Sequence, residues 1–246
     1  MLEIKNKLYT QRFFAESLPL SDIFKAVTYT QYLGAHEKIP FYYKKIYGET
    51  ATLDLTKPLD VLFQDMKSNT RNEIRRAEKE GCVFEYNYDY DSFVPFYNDF
   101  CISKGLKELI YTSATLKKYD KTIITMAKYN GLVLAMHATV VNEQDQCALL
   151  LYSCSRRLNE NVDRKMIGWG NRYLHWKEFE LFKKMGCTRY EWNGVCTNPE
   201  KKEVYNISQF KLSFGGNAVP SLGLRSPLFV FLKSIQGVLN SRLSNR

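Results

Sequence analysis

The sequence predicts a mixed α/β fold, in which a mostly antiparallel central sheet carries helices on both faces and a short N-terminal lobe precedes it. Helical and strand-like segments alternate between residues 82 and 224. The pair Asn130-Gly131 separates two β-rich segments, which is the pattern of a tight hairpin. Glycines follow several helical segments at the position where helices commonly end. These observations favour a sheet built partly from hairpins and covered by helices.

The predicted N-terminal lobe covers residues 1–57, and the main domain covers 58–246. In the lobe, "SDIFKAVTYTQYLG" fits a helix that is capped at Ser21 and ends near Gly34, while "FYYKKIYG" and "ATLDLT" fit short strands. Pro58 suits the first turn of a helix. Apolar residues at helical spacing then predict one continuous helix that ends at Gly81.

The main domain continues with elements in a regular order. The segment "CVFEYNY" predicts a strand, and "SFVPFYNDFCISKG" and "TSATLKKYDK" predict two helices. The hairpin strands and "CALLLYSCS" then form three antiparallel strands. A long helix is predicted from Asp163 to Lys184, followed by the strand "TRYEWNGV", the helix in "NISQFKLSFGG" and the extended segment "NAVPSLGL".

The composition indicates a globular protein with an anionic ligand. Of the 246 residues, 45% are hydrophobic and 25% charged, and the formal net charge is +9. Lys and Arg are spread along the chain, so a DNA-binding tract is not predicted. The 17 Tyr and 15 Phe supply side chains that stack on bases or sugars.

The cysteines predict buried free thiols in a reducing cytoplasm. None of the six Cys residues forms a CxxC pair, and the His spacing does not suit a metal site, so no metal is expected. The N-terminus lacks the pattern of a signal peptide. No apolar run approaches the ~18 residues of a membrane helix. The terminal "SPLFVFLKSIQGVLNSRL" is predicted to be a core-packing helix, with a helix on a membrane surface as the alternative.

A lysine stands within the apolar face of the helix in "NISQFKLSFGG". A helical register places Ile207, Phe210, Leu212 and Phe214 near Lys211, and two glycines follow. The Lys211 ammonium either reaches water along the flank of the helix or meets a negative group. Its position near the helix C-terminus is also favourable for a cation.

Three segments together resemble one branch of the GNAT acyltransferases, the FemAB-like proteins. This branch includes aminoacyltransferases that form peptidoglycan bridges and relatives that use acyl-CoA. The resemblance runs in order over about residues 53 to 225 and implies a GNAT-like fold. Its segments are "LDLTKPLDVLFQDMKSNTRNEIRRAEKEG", "GWGNRYLHWKEFELFKKMGCTRYEWNGV" and "NISQFKLSFGG", the last being similar to the Phe-Lys-x-x-Phe-Gly-Gly signature of the branch.

The resemblance implies a site for an acyl donor. In GNAT folds a splayed central strand exposes backbone N–H groups to the thioester and its pantetheine arm, and a helix N-terminus binds the pyrophosphate. A solvated basic loop is the alternative for the cations that precede the long helix. The expected donor-binding residues are Tyr152, Ser153, Cys154, Arg156, Arg157, Arg164 and Lys165.

The resemblance also implies that Lys211 lies at the reaction centre. His137 is a candidate general base, although apolar neighbours also suit a core histidine. Glu191 lies near the end of a strand where the family's substrate pocket opens, and Tyr205 could protonate a leaving thiolate. Candidate substrate-binding residues are Asn193, Phe210, Arg71 and Arg75, and the two arginines also suit a helix C-terminus.

The leading hypothesis is an N-acyltransferase that uses a CoA thioester as co-substrate. Its acceptor would be the amine of a small molecule, such as a nucleotide-linked amino sugar for cell-surface polysaccharide. The alternatives are a transferase that takes its acyl group from aminoacyl-tRNA and acts on a peptidoglycan precursor, and a non-catalytic nucleotide-binding module. Assembly as a homodimer is compatible with the sequence.

Overall fold

The computed structural model describes residues 1–34, 38–107, 109–119, 121–156 and 163–244, with side chains described to residue 236. These residues form two compact units. Unit 1 comprises Met1–Glu49 and Val219–Arg246, and unit 2 is Thr50–Ala218. The units therefore divide the chain at residues other than the expected boundary at 57/58, because the C-terminal strand pairs with a strand of the first thirty residues.

Unit 1 contains short strands and the C-terminal helix. Its strands are β1 (Leu2–Lys5), β2 (Thr10–Phe13), β3 (Val27–Thr30), and parts of β4 (Lys44–Asp54) and β10 (Asn217–Arg225). They lie in the order β1-β2-β3-β10-β4. The last helix is α6 (Pro227–Ser244). Its Phe229 is buried, whereas Phe231 and Ile235 are exposed, so the predicted packing against a core applies to one face.

Unit 2 contains the remaining elements. Its helices are α1 (Leu59–Asp65), α2 (Ser68–Lys79), α3 (Tyr90–Ser103), α4 (Arg164–Lys184) and α5 (Lys202–Leu212). Its further strands are β5 (Val83–Asn87), β6 (Thr122–Tyr129), β7 (Leu132–Asn142), β8 (Cys147–Ser155) and β9 (Arg189–Val195), which lie in the order β9-β8-β7-β6-β5 with β4 beside β9.

The predicted mixed, mostly antiparallel sheet is confirmed. Strands β6, β7 and β8 pair antiparallel, and β8 pairs parallel with β9. Asn130 and Gly131 both have positive φ, at 50° and 78°, as the hairpin requires. Alternating residues of β6 enter different cores, Ile123 with α4 and Ile124 with α3, so helices cover both faces.

Two predicted helices are wrong. The segment after Ser21 forms a 3-10 turn (Leu20–Phe24) and strand β3, because Val27 to Thr30 alternate between buried and partly exposed positions with the period of a strand. The segment after Thr112 forms only a 3-10 turn (Ser113–Thr115), with the Thr112 side chain as its cap.

Two further expectations need correction at β4 and at the first long helix. The segments "FYYKKIYG" and "ATLDLT" were predicted as two short strands, and they contribute instead to the single strand β4. The continuous helix from Pro58 to Gly81 is broken between α1 and α2, where Met66 is extended. The N–H of Lys67 donates to the Ser213 carbonyl at 2.9 Å, which takes the backbone out of the helical ladder.

The six cysteines are free thiols, and five of them are buried, as predicted. Within the residues that the structure describes, none of the helices has both the length and the apolar character needed to cross a membrane.

Candidate active site

A buried carboxylate lies at the centre of unit 2. Glu178 of α4 is fully buried, and four side chains surround its two oxygens. His137 Nδ1 lies 3.0 Å from Oε1, which also accepts from the Thr125 hydroxyl. His175 Nδ1 lies 3.2 Å from Oε2, and the Tyr190 hydroxyl donates to the same oxygen at 2.8 Å. These contacts compensate the loss of water around the carboxylate.

The surroundings determine the charges in this network. Burial alone raises the pKa of Glu178, but the neighbouring His137 and His175 reverse that effect and hold the pKa below its ordinary value. Burial lowers the pKa of His175 to about 3, so its ring is neutral near pH 7. Glu178 is therefore ionised, and the Nδ1–H of His175 donates to it.

His137 links this carboxylate to a pocket. Its Nε2 lies 3.0 Å from Oδ1 of Asn171, which lines the pocket. The contact is satisfied in two ways: an imidazolium donates to Oδ1, or a neutral ring accepts from Nδ2 after the Asn171 amide turns over. Whether Nε2 of His137 carries a hydrogen therefore decides whether Asn171 presents its NH₂ group or its oxygen to the pocket.

The pocket is a polar, cationic cavity of about 530 Å³. Its walls come from the start of α2, the end of β8, the first half of α4, and α5. Lys67, Arg164 and Arg172 bring positive charge to it, and its described lining contains no Asp or Glu. Arg172 also pairs with Glu73 at 3.0 Å and stacks on the Phe210 ring. A ligand with phosphate or carboxylate groups suits this lining.

Strands β8 and β9 diverge in the sheet of unit 2. Their parallel pairing covers Cys147–Leu149 and Arg189–Glu191. Beyond it, the Asn193 side chain donates to the Leu150 carbonyl at 2.5 Å, and Asn193 itself has a φ of 61°. Ser155 at the end of β8 lines the pocket. The resemblance implies a splayed strand at this place, and its role in binding a donor stays a prediction.

Lys211 lies between α5 and β9. Its ammonium donates to the carbonyl oxygens of Trp192 and Gly194, both at 2.8 Å. Burial lowers the pKa of Lys211 to about 8. The negative partner that the sequence suggested is here a pair of carbonyl dipoles, and a role of Lys211 at the reaction centre stays a prediction.

The two glycines after Lys211 have separate structural reasons. Gly215 has a φ of 88°, which suits glycine at a helix end. A Cβ at Gly216 would lie 2.8 Å from the Thr52 carbonyl oxygen, so the backbone there passes too close for a side chain. The Gly-Gly pair therefore fixes how α5 ends against β4.

Two predicted binding residues, Arg156 for the donor and Arg71 for the substrate, have other contacts. Arg156 donates from Nε to the Val133 carbonyl at 2.8 Å and stacks on Phe96. Arg71 donates to the carbonyls of Gln64 and Met66 at the end of α1. Both guanidinium groups thus stabilise neighbouring elements. Arg157 lies outside the described residues.

The three predicted residues of β8 lie in different environments. Tyr152 packs on Phe93 and Tyr97 of α3, and Ser153 is exposed. Cys154 is buried, and its thiol contacts the Met136 carbonyl. Burial raises the pKa of Cys154.

The remaining predicted residues lie at different distances from the pocket. Arg164 and Phe210 line it, and Lys165 is exposed next to Arg164. Tyr205 is partly buried and precedes the pocket residue Asn206. Glu191 is buried, pairs with Arg189 at 3.1 Å and accepts from Thr50 at 3.3 Å. Arg75 stacks on Phe63.

Several site residues escaped the sequence analysis. These residues are Lys67, Asn171, Arg172, His175 and Glu178. The signal was present in α4, because Asn171, His175 and Glu178 are spaced i, i+4 and i+7 and share one helical face. A polar stripe on a helix that is otherwise apolar on that side indicates a buried network.

The network also has the composition of a metal site. Ligand atoms of His137, His175 and Glu178 lie within 4.8 Å of one another. All three side chains are engaged in the hydrogen bonds described above. The expectation that the protein uses no metal stays a prediction.

Comparison with known proteins gives the fold of the chain. Neither a protein-family model nor a curated protein matches it. The structure of FemX superimposes with a TM-score of 0.64 at 13% identity, over 95% of this chain and 85% of that chain. The C-terminal domain of an Agrobacterium fabrum protein assigned as a lysylphosphatidylglycerol synthetase gives 0.62 at 12% identity, over 95% and 83%.

A third structure, L-PGS from Bacillus licheniformis, gives a TM-score of 0.57 at 12% identity, over 92% of this chain and 80% of that chain. The chain thus has a GNAT/FemAB-like fold. Identities at this level concern the fold, so the activity must be argued from the site itself.

Proposed function

We propose that the protein is an acyltransferase that moves an acyl group from a CoA thioester to the amine of a small acceptor. The cationic pocket at the end of β8 and the short pairing of β8 with β9 support this proposal. Phosphate groups of the donor would pair with Lys67, Arg164 and Arg172. The pantetheine arm would pair with backbone groups of β8 beyond Leu149.

The proposed reaction requires a few groups only. The amine nitrogen attacks the thioester carbon, the C–N bond forms, and the C–S bond breaks. The thiolate leaves and takes up a proton, while the amine loses one, so the products are an amide and free CoA. Donors aimed at the oxygen of the tetrahedral intermediate accelerate such a step.

Asn171 is suited to contact the reacting groups. It lines the pocket, and its amide contacts His137, whose other ring nitrogen contacts Glu178. Its Oδ1 could accept from the acceptor amine, or its Nδ2 could donate to the developing oxyanion. Lys211 could add positive charge from the β9 side, the role that the resemblance implies.

A nucleotide-linked amino sugar is the acceptor that the pocket chemistry favours. Such a molecule carries phosphates as well as an amine, and phosphates suit the cationic lining of the pocket. Phe210 in the pocket wall offers a ring for a base or a sugar.

The test is a panel assay of purified protein with acyl-CoA thioesters of increasing chain length and nucleotide-linked amino sugars. Release of free CoA that requires both substrates is expected, with an N-acylated sugar detected by mass spectrometry. Arg164→Gln should raise the donor's Michaelis constant, whereas Lys118→Gln, a change of the same chemistry outside the pocket lining, should not.

Two outcomes would contradict this proposal. Acyl transfer from aminoacyl-tRNA, with no CoA thioester accepted, would replace the donor. Binding of nucleotide, measured as thermal stabilisation without turnover of any donor, would indicate a non-catalytic module.

A further inference from the structure

Unit 1 exposes large apolar side chains around α6. Phe41 is 95% exposed, Phe24 83% and Phe231 61%. Leu8, Leu20 and Ile235 are also exposed. Isolated apolar residues are common on surfaces, but a group of them beside one helix indicates an interaction site.

The structure places these residues beside α6. The helix packs against the 3-10 turn that carries Leu20 and Phe24. An apolar groove on one side of α6 includes Leu8 and Ile235. A second groove includes Phe41 and Phe231. The exposed residues therefore border a single helix, and together they are defined here as the α6 surface.

The charge of unit 1 identifies the kind of partner. It has eleven Lys and Arg residues against five Asp and Glu, so it contributes +6 of the net charge of +9 in under a third of the chain. Helix α6 itself contains Lys233 and Arg242 and no acidic residue.

Two of the described acidic side chains of unit 1 pair with one guanidinium. Asp22 in the 3-10 turn is buried and pairs with Arg12, and Glu3 pairs with the same guanidinium. Lys7, Lys44 and Lys233 border the two grooves. Apolar side chains with a cationic border match an anionic lipid surface, where rings and aliphatic chains enter the acyl region and lysines stay at the headgroups.

We propose that the α6 surface docks unit 1 onto a membrane that contains anionic lipid. Helix α6 would lie in the plane of the interface, with Phe231, Ile235, Phe24 and Phe41 inserted. A docked enzyme would meet acceptors or products that carry a lipid at the membrane surface. The proposal does not depend on the acyl donor.

The experiment is flotation of the full chain with two kinds of vesicle. One contains phosphatidylglycerol and phosphatidylcholine in equal amounts, and the other contains phosphatidylcholine alone. The protein should float with the anionic vesicles and stay behind with the neutral ones. Raising the salt concentration should weaken binding, since charge pairing at the surface is screened.

Variants test whether the α6 surface is responsible. Phe231→Ser combined with Ile235→Ser should weaken partitioning roughly tenfold or more, as expected for loss of two inserted apolar side chains. Lys233→Gln should weaken it about fivefold. The matched control is Val204→Ser with Ile207→Ser on α5, where both residues are similarly exposed. That control should float like the original chain.

Three outcomes would overturn the proposal. The protein could fail to bind either vesicle, the double variant at Phe231 and Ile235 could bind as well as the control, or the original chain could form a dimer that the double variant loses. The last outcome would show that a second copy covers the surface. Thermal melting of each variant checks folding, and exposed positions should leave it unchanged.

Discussion

The two faces of the sheet in unit 2 differ in what they bury. On the α3 face, Phe93, Ile124 and Met136 form an apolar cluster. On the α4 face, the same strands place Thr125 and His137 against Glu178. Burial of an ionised carboxylate stabilises a fold less than well-packed apolar residues of similar volume would. The difference makes the buried polar network on the α4 face, next to the pocket, the candidate for a function.

The largest effect is expected when the carboxylate is removed. Glu178→Gln places an amide N–H₂ against groups that donate to the original oxygens. The free energy of unfolding should fall by about 3–5 kcal/mol, the range for breaking a buried ionic network. Urea denaturation measures this change in the free energy of unfolding.

The matched change on the α3 face is Met126→Leu, which keeps volume and should cost less than about 1.5 kcal/mol. Equal effects for the two variants would remove the distinction between the faces.

Lys211→Met tests whether the α4 side carries chemistry. The change keeps much of the side chain and a good helix former, but it removes the ammonium. Turnover should fall by roughly a hundredfold or more, the scale for losing one donor to an oxyanion. Steady-state kinetics of the proposed transfer measures this.

The alternative result is a loss of stability alone. If the ammonium only joins α5 to the carbonyls of Trp192 and Gly194, the folded variant should keep its turnover and unfold more easily. The comparison of melting and kinetics separates the two roles.

Acidification should destabilise the α4 face first. The unfolded chain binds a proton at His175 below about pH 6.5, whereas in the native state burial lowers the pKa of His175 to about 3. Since the unfolded state binds more protons in this window, stability should fall by about 1.4 kcal/mol per pH unit as pH decreases from 6.5 towards 4.5. Glu178, whose pKa is lowered, adds to the loss at lower pH.

Denaturant titrations at several pH values would measure this slope. His175→Gln removes the titrating ring and should flatten the slope over the same window. A slope that persists in the variant would assign the pH dependence to other groups.

The smallest effect is expected on the donor's Michaelis constant, when two arginines are substituted in turn. Arg164 faces the pocket, whereas Arg156 is held by the Val133 carbonyl and Phe96. Arg164→Gln should raise the donor's Michaelis constant about five- to tenfold with a smaller change in turnover. Arg156→Gln should change stability and leave the Michaelis constant unchanged. A larger increase in the Michaelis constant for Arg156→Gln than for Arg164→Gln would place the donor near α3.

Local sequence patterns were sufficient to predict most helices and strands of unit 2. The Asn130-Gly131 turn and the long helix that was predicted from Asp163 to Lys184 depend on neighbours in sequence, and both formed as predicted. The break between α1 and α2 depends on a hydrogen bond to Ser213, nearly 150 residues away. Strand β3 likewise relies on pairing with β10. Such long-range contacts leave little trace in local periodicity.

The candidate site shows the same limit. The sequence indicates Lys211, His137 and Arg164 as candidates. It does not predict which groups contact them in the fold. The carbonyls that bind Lys211 belong to the backbone of β9. The side chains of a strand do not reveal which backbone oxygens accept from a lysine. The asparagine that connects His137 with the pocket is marked only by its helical spacing to His175 and Glu178, and this spacing does not reveal the contact with His137.

The division of the chain also has a consequence for synthesis. Residues 50–218 are inserted between the two segments of unit 1. Thr28 and Tyr29 in β3 leave the ribosome long before their partners Arg225 and Leu224. At about 5–20 residues per second, the delay is roughly 10–40 seconds. Unit 2 can therefore fold during translation, while β3 stays without its partner β10 until residues 217–225 are made.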